Sequence, residues 1–229
     1  MVRQRRVSAA ISRPSERFSE MMVFHFETPR PDELATQWKE AELVAAACKL
    51  AGHRFHTAVV LNARELEAHL AYIFTWKPAS RGKPQFSLHF SGHADREGIQ
   101  VGATFLDWHA LASAIGRTSV KAQFPYMLFI SGCGEGRPEF TKAFKGVENR
   151  PIYIFAFEDE VNWQDAAHAS SLVYRFLSDI AVSDSRRVRK VVDQIRTLGL
   201  GRMLYYRWDK QSDCYRLYPG RTGASTKPK

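Results

Sequence analysis

The sequence predicts an α/β fold, a mostly parallel central sheet with helices on both faces and a C-terminal β-hairpin. Short apolar runs, among them Phe86-Ser-Leu-His-Phe-Ser-Gly92 and Tyr126-Met-Leu-Phe-Ile-Ser131, alternate along the chain with stretches whose apolar residues recur at helical spacing. Hydrophobic residues make up 45% of the 229, enough to bury one sizeable core. The organisation that follows is a single domain over residues 21–219. An Arg- and Ser-rich leader at 1–20, expected to be disordered, precedes it, and a frayed basic tail at 220–229 follows it.

A strand at 22–26 comes first, and the Pro29-Arg-Pro31 turn feeds a helix over 32–51. Asp32 serves as its N-cap, and Leu34, Trp38, Ala41, Ala45 and Cys48 share one face. After Gly52 a strand is expected at 56–61, and Asn62 caps a helix that turns Leu66, Leu70 and Ile73 inward. A basic loop at 78–84 leads to the strand at 86–92. A short apolar piece at 99–101 and a crossover helix over 105–115 connect it to the strand at 126–131. Beyond a loop at 134–138 come a short helix through Phe144, a strand at 151–157, and a helix over 163–177 carrying Ala167, Tyr174 and Leu177 inward. A helix over 187–198 and a hairpin over 203–218 close the fold. No G-x-G-x-x-G opens a helix after the first strand, which argues against a dinucleotide-binding fold.

Composition narrows the setting. Cys48, Cys133 and Cys214 are odd in number and widely spaced, which argues for a reducing compartment rather than a disulfide framework. No apolar run reaches the ~20 residues needed to cross a bilayer, so the expectation is a cytoplasmic protein without membrane contact. The net charge of +9 sits at the ends. Residues 1–20 carry five arginines against two glutamates, residues 186–229 twelve Lys/Arg against three aspartates, and the middle is net negative. Aromatics interleave with the C-terminal bases in Tyr205-Tyr-Arg-Trp-Asp-Lys210 and Tyr215-Arg-Leu-Tyr218. That pattern admits nucleic-acid contact through the basic C-terminal segment, and the favoured reading is an edge hairpin kept soluble by its charges.

The two central apolar strands each stop at a glycine with a reactive side chain just beyond, His93 after Gly92 and Cys133 after Gly132. Parallel sheets present catalytic groups at this carboxyl edge, and the 40 residues between the two are enough for one crossover with a helix. A thiol with its ordinary pKa of about 8.5 is mostly protonated at neutral pH, so a neighbouring imidazole is what a cysteine nucleophile needs. Extended alternation puts His89, Ser91 and His93 on one side of the sheet. His89, His93, His109 and Cys133 have irregular spacing for zinc, and no metal or cofactor is expected. A G-x-S-x-G elbow is absent.

The motifs Leu88-His89-Phe-Ser-Gly-His93 and Leu128-Phe-Ile-Ser-Gly-Cys133-Gly-Glu-Gly136 resemble the caspase-like cysteine peptidases and, within them, the CHAT branch. Flanking pieces extend the resemblance over roughly residues 22–180: Val59-Val-Leu-Asn-Ala63 and its helix upstream, and Phe140 to Phe144, Ile152 to Phe155 and Leu172 to Leu177 downstream. The resemblance implies a caspase-like three-layer α/β/α domain and a cysteine endopeptidase with Cys133 as nucleophile and His93 as general base. It implies an oxyanion site of backbone N–H groups from Cys133 and the Gly92-to-Ala94 turn. His89, two turns of the pleat before His93 on the same side, is read from the alternation as an internal hydrogen-bonding residue that orients the site. In relatives that prefer basic substrates, acids lie two residues before the cysteine and on the following strand. Ser131 holds the first place here, and Glu158 and Asp159 stand as S1 residues after the strand. Control by a partner protein and a role in prokaryotic antiviral defence or cell death are further implications. Two departures stand out: Ala94 where the family has glycine, which would strain a Gly-only conformation, and glycines on both sides of Cys133. The rival readings are a catalytically inactive caspase-like interaction module and a nucleic-acid accessory protein that uses its basic termini.

Overall fold

The computed structural model describes residues 21–34, 40–75, 86–119, 126–133, 138–148, 150–181 and 184–219. The expected leader, the 78–84 loop, most of the loop after Cys133 and the basic tail therefore lie outside the described residues. In chain order the elements are β1 (Met22–Thr28), α1 (Glu40–Leu50), β2 (Arg54–Val59), α2 (Ala63–Thr75), β3 (Phe86–Gly92), β4 (Gly98–Val101), β5 (Thr104–Asp107), α3 (Trp108–Ser119), β6 (Tyr126–Ser131), α4 (Pro138–Lys145), β7 (Tyr153–Phe157), α5 (Trp163–Leu177), α6 (Ser185–Thr197), β8 (Met203–Asp209) and β9 (Cys214–Tyr218).

Seven strands form one sheet in the order β2-β1-β3-β6-β7-β8-β9, parallel from β2 through β7 and antiparallel at β8 and β9. The expected mostly parallel sheet with a C-terminal hairpin is what the chain forms. The side chains of α2, α3 and α4 pack on one face against Phe24, Phe26, Leu88, Phe90 and Ile130. Those of α1, α5 and α6 cover the other, against Val23, Phe129, Phe155 and Tyr205. β3 and β6 are buried along their whole length because both have a neighbour on each edge and a helical layer on each face.

Several elements depart from their expected bounds. The first helix does not run from Asp32: a 3-10 turn, Pro31–Glu33, stands there, and α1 begins at Glu40. Asp32 caps nothing in that turn, whose capping box is closed by Glu33 accepting from the Arg30 N–H at 2.9 Å, and Leu34 is half exposed rather than inward. The crossover helix begins at Trp108 rather than 105, with Phe105 in the small antiparallel β4–β5 ribbon. Gly102 makes that ribbon's turn at φ +57°, where an added Cβ would meet the Leu61 carbonyl, and Asp107 then caps α3 by accepting from the Ala110 N–H at 2.7 Å. The second strand starts two residues early, at Arg54. Asn62 does cap α2, its Oδ1 accepting from the Glu65 N–H at 3.0 Å, and Leu66, Leu70 and Ile73 are buried.

Candidate active site

β3 and β6 lie side by side and parallel, with Ser91 opposite Ser131. His93 and Cys133 each follow their serine by two residues, so both leave the sheet at the same level of its carboxyl edge and on the α1/α5 side. Both are partly exposed, in contrast to the buried strands beneath them. At Gly92 an added Cβ would lie 1.9 Å from Thr28 Oγ1 and 3.2 Å from the Thr28 carbonyl oxygen, so a side chain here would have to push the Thr28 hydroxyl aside.

His93 has a partner that the sequence did not announce. Its Nε2 lies 2.5 Å from Oε1 of Glu33, in the 3-10 turn after β1. Partial burial by itself would raise the Glu33 carboxyl pKa, but the Arg30 N–H and the His93 imidazole outweigh it and hold the group below its ordinary value. The Trp163 ring meets the imidazole edge-on, with centroids 5.7 Å apart. The Cys133 thiol points at the Val161 carbonyl, 3.6 Å away, so Val161 and the first residue of α5, Trp163, each touch one of the reactive residues.

Ala94 sits in ordinary backbone. Among the described non-glycine residues only Asp213 has a positive φ, so the strain expected of a Cβ at position 94 does not arise. Ala94 faces Ile99 in an isolated antiparallel bridge whose bonds use the His93 carbonyl and the Asp95 N–H. This leaves the Ala94 N–H turned away from the ribbon.

Below the two reactive side chains lies a buried polar network that periodicity alone did not indicate. Glu40, the first residue of α1, accepts from Ser91 Oγ at 2.7 Å through Oε2, and from Ser131 Oγ at 2.9 Å and Ser170 Oγ at 2.8 Å through Oε1. His89 Nε2 stands 3.2 Å from the same Oε1. Burial would raise this carboxyl, yet the His89 charge and the donors bring it down to about 2. His25, the register partner of His89 on β1, packs against it with ring centroids 4.5 Å apart, and burial lowers its pKa to about 3, so it is neutral near pH 7. His25, Glu40 and His89 bring three ligand-type atoms within 4.8 Å of one another. The carboxylate already accepts from three hydroxyls, while neither ring nitrogen of His25 or of His89 makes a hydrogen bond.

The remaining expected site residues fall as follows. Glu158 and Asp159 follow β7 at the same sheet edge, and both are engaged by Arg202, at 2.8 and 3.0 Å. His109 is exposed on α3, whereas His89 is fully buried under α1 and α5, so the two do not share a site. Cys48 is buried on α1 and its thiol is pushed up to about 12 by that burial. In the hairpin Tyr205 and Tyr206 are buried. Trp208 stacks under Arg150 at 4.0 Å and edge-on to Tyr215, and Tyr218 donates to Asp193. These rings fill intramolecular roles. Among the described residues no helix is long and apolar enough to cross a membrane.

The sequence matches no protein-family model and no curated protein. Among solved structures the chain is similar to the crystal structure of the Drosophila initiator caspase Dronc, with a TM-score of 0.52 and 9% sequence identity over 82% of this chain and 78% of that one. At that identity the likeness establishes the fold alone, a caspase-like α/β/α domain.

Proposed function

We propose that this chain is a CHAT/caspase-type cysteine endopeptidase in which Cys133 is the nucleophile and His93 the general base and acid. The observation that supports it most is the register of β3 and β6, which sets the two residues side by side at the carboxyl edge of adjacent parallel strands. In the proposed reaction Glu33 accepts the Nε2 proton of His93, leaving Nδ1 to take the thiol proton. Sγ attacks the scissile carbonyl carbon, and the carbonyl electron pair moves to oxygen, where the N–H groups of Cys133 and Ala94 receive it. Collapse breaks the C–N bond, and the imidazolium returns its proton to the leaving amine. Water deprotonated by His93 then cleaves the thioester and restores the thiol.

Glu158 and Asp159 are proposed as the S1 acids for a basic P1 residue, which would compete with Arg202 for them. Control by a partner protein, and a place in a prokaryotic defence or cell-death system, belong to the same proposal. The test is cleavage of a mixed peptide library, and of proteins encoded beside this one, by wild type, Cys133→Ala and His93→Ala. The expected result is loss of cleavage in both variants, by at least the 10²–10⁴-fold that a general base contributes. Cleavage that survives Cys133→Ala would sink the assignment. A wild type that neither cleaves nor alkylates faster at Cys133 than at Cys214 would identify an interaction module instead.

A further inference from the structure

The Glu40 carboxylate joins the two strands that carry the candidate catalytic pair. Ser91 and Ser131, its partners on β3 and β6, are opposite each other in register, and each precedes the reactive residue of its strand by two. The carboxylate therefore bridges the strands about 7 Å below the reactive side chains, two strand residues at ~3.3 Å each. Its third hydroxyl partner, Ser170, comes from α5 and stands in neither strand. Glu40 is itself anchored from above the sheet, because the next residue, Ala41, donates its N–H to Glu27 Oε1 on β1 at 3.1 Å.

A buried carboxylate is a poor device for stability alone. Its desolvation is costly, and well-packed apolar residues in its place are often as stable. What a fully hydrogen-bonded carboxylate offers that apolar packing does not is a fixed direction and length for each bond. Here two of those bonds fix the mutual height and separation of β3 and β6 directly beneath their reactive ends. On the opposite face of the same strands Leu88, Phe90 and Ile130 pack without such directional contacts.

Resting on the peptidase reading above, we propose that Glu40 is a positioning residue, whose bonds to Ser91 and Ser131 fix where His93 and Cys133 stand at the sheet edge. It touches neither the substrate nor the reacting atoms. Losing it lowers kcat and thiol reactivity and leaves KM little changed.

The experiment uses the full chain in a Cys214→Ser background, where Cys48 is buried and alkylation by iodoacetamide reports Cys133. The alkylation rate is followed against pH beside thermal unfolding, for Ser91→Ala, Ser131→Ala, Glu40→Gln and the control Ser170→Ala. Each serine variant removes one hydrogen bond to the same carboxylate, so similar losses of Tm are expected. Ser91→Ala, Ser131→Ala and Glu40→Gln are expected to slow alkylation about tenfold at neutral pH and move its midpoint toward that of a free thiol. Ser170→Ala is expected to stay within twofold of the parent. Equal slowing in Ser170→Ala would show a merely structural network and overturn the proposal, as would unchanged rates in all four. One equivalent of metal in the purified protein, lost in His25→Ala, would also overturn it by making Glu40 a ligand. If the parent Cys133 is no more reactive than free cysteine, the peptidase reading itself has failed and this proposal goes with it. A reactive parent with unchanged variants removes only the positioning role.

Discussion

The two faces of β3 are equally buried and differ in kind. Toward α2 and α3 the strand presents Phe86, Leu88 and Phe90, ringed by Phe26, Phe74 and Tyr126. Toward α1 and α5 it presents Ser87, His89 and Ser91, all buried, with Ser87 sharing a hydrogen bond of 2.9 Å with the Tyr174 hydroxyl and the other two engaging Glu40. The apolar face holds the strand in the sheet by area and tolerates small shifts, because dispersion contacts have no preferred direction. The polar face does not tolerate them, since each hydroxyl must meet its acceptor. The candidate catalytic residues extend from the polar side.

Breaking each face in turn is the largest test of that contrast. Glu40→Ala leaves the Ser91, Ser131 and Ser170 hydroxyls facing a void without their acceptor, and is expected to cost at least about 3 kcal/mol, at about 1–3 kcal/mol for each buried donor left unsatisfied. Leu88→Ala is expected to cost about 2–5 kcal/mol through its cavity. Urea unfolding measures both. The faces separate in Cys133 alkylation under native conditions, which Glu40→Ala slows and Leu88→Ala leaves at the parental rate. Equal slowing by both would mean that the faces are mechanically alike.

The same contrast sets the response to acid. His25 is held neutral, with a folded pKa near 3 against an ordinary 6.5, so the unfolded chain takes up a proton that the folded one refuses. Stability is full above pH 6.5 and falls as pH drops toward 3, by as much as about 1.4 kcal/mol per pH unit. Glu40 adds its own loss lower down, as pH falls from its ordinary 4.5 through about 2. His25→Leu is therefore expected to flatten the dependence of Tm on pH between 6.5 and 4.5, leaving the steeper fall below 4.5. A slope unchanged by the substitution would place the acid sensitivity elsewhere.

Much of this architecture could be read from the chain because β3 and β6 write their environment into their pattern. The apolar runs in Phe86-Ser-Leu-His-Phe-Ser and Tyr126-Met-Leu-Phe-Ile-Ser identified the strands, alternation in the first put His89 and Ser91 on one side, and the glycine before each reactive residue marked the sheet edge. What could not be read were contacts made by residues distant in sequence. Glu33 and Glu40 look like solvent-facing acids of an early helix, and nothing local says that one meets His93, 60 residues on, while the other meets Ser131, 91 residues on. The signal available was the run of buried-looking hydroxyls and imidazoles on one strand face, which requires a polar partner from some other element. The boundary at Trp108 was missed for a different reason. The β4–β5 ribbon is four residues a side, and its turn depends on the fit of Gly102 against Leu61 rather than on any pattern.

A smaller effect is expected at the rim of the polar side. Glu33→Gln keeps the size of the side chain and an acceptor for His93 but removes the charge that favours the imidazolium formed during attack. A fall of about tenfold in the alkylation rate, about 1.4 kcal/mol, is expected with Tm nearly unchanged, since the pair is partly exposed. A loss beyond a hundredfold would give Glu33 a role in the reaction larger than orientation.

The smallest effect falls where both partners are wet. Arg202 bridges Glu158 and Asp159 with its own side chain more than half exposed, so the pairs contribute at most about 1 kcal/mol to folding. Their consequence is for substrate choice. While the guanidinium occupies both carboxylates, a P1 lysine or arginine must displace it, and Arg202→Ala frees two negative charges at the sheet edge. In a peptide panel this substitution is expected to raise kcat/KM for basic P1 substrates several-fold, through KM, and to leave neutral P1 substrates as they were. A panel in which acidic P1 substrates are cleaved best, and in which Arg202→Ala weakens them, would instead make Arg202 the specificity cation and reverse the sign of the pocket.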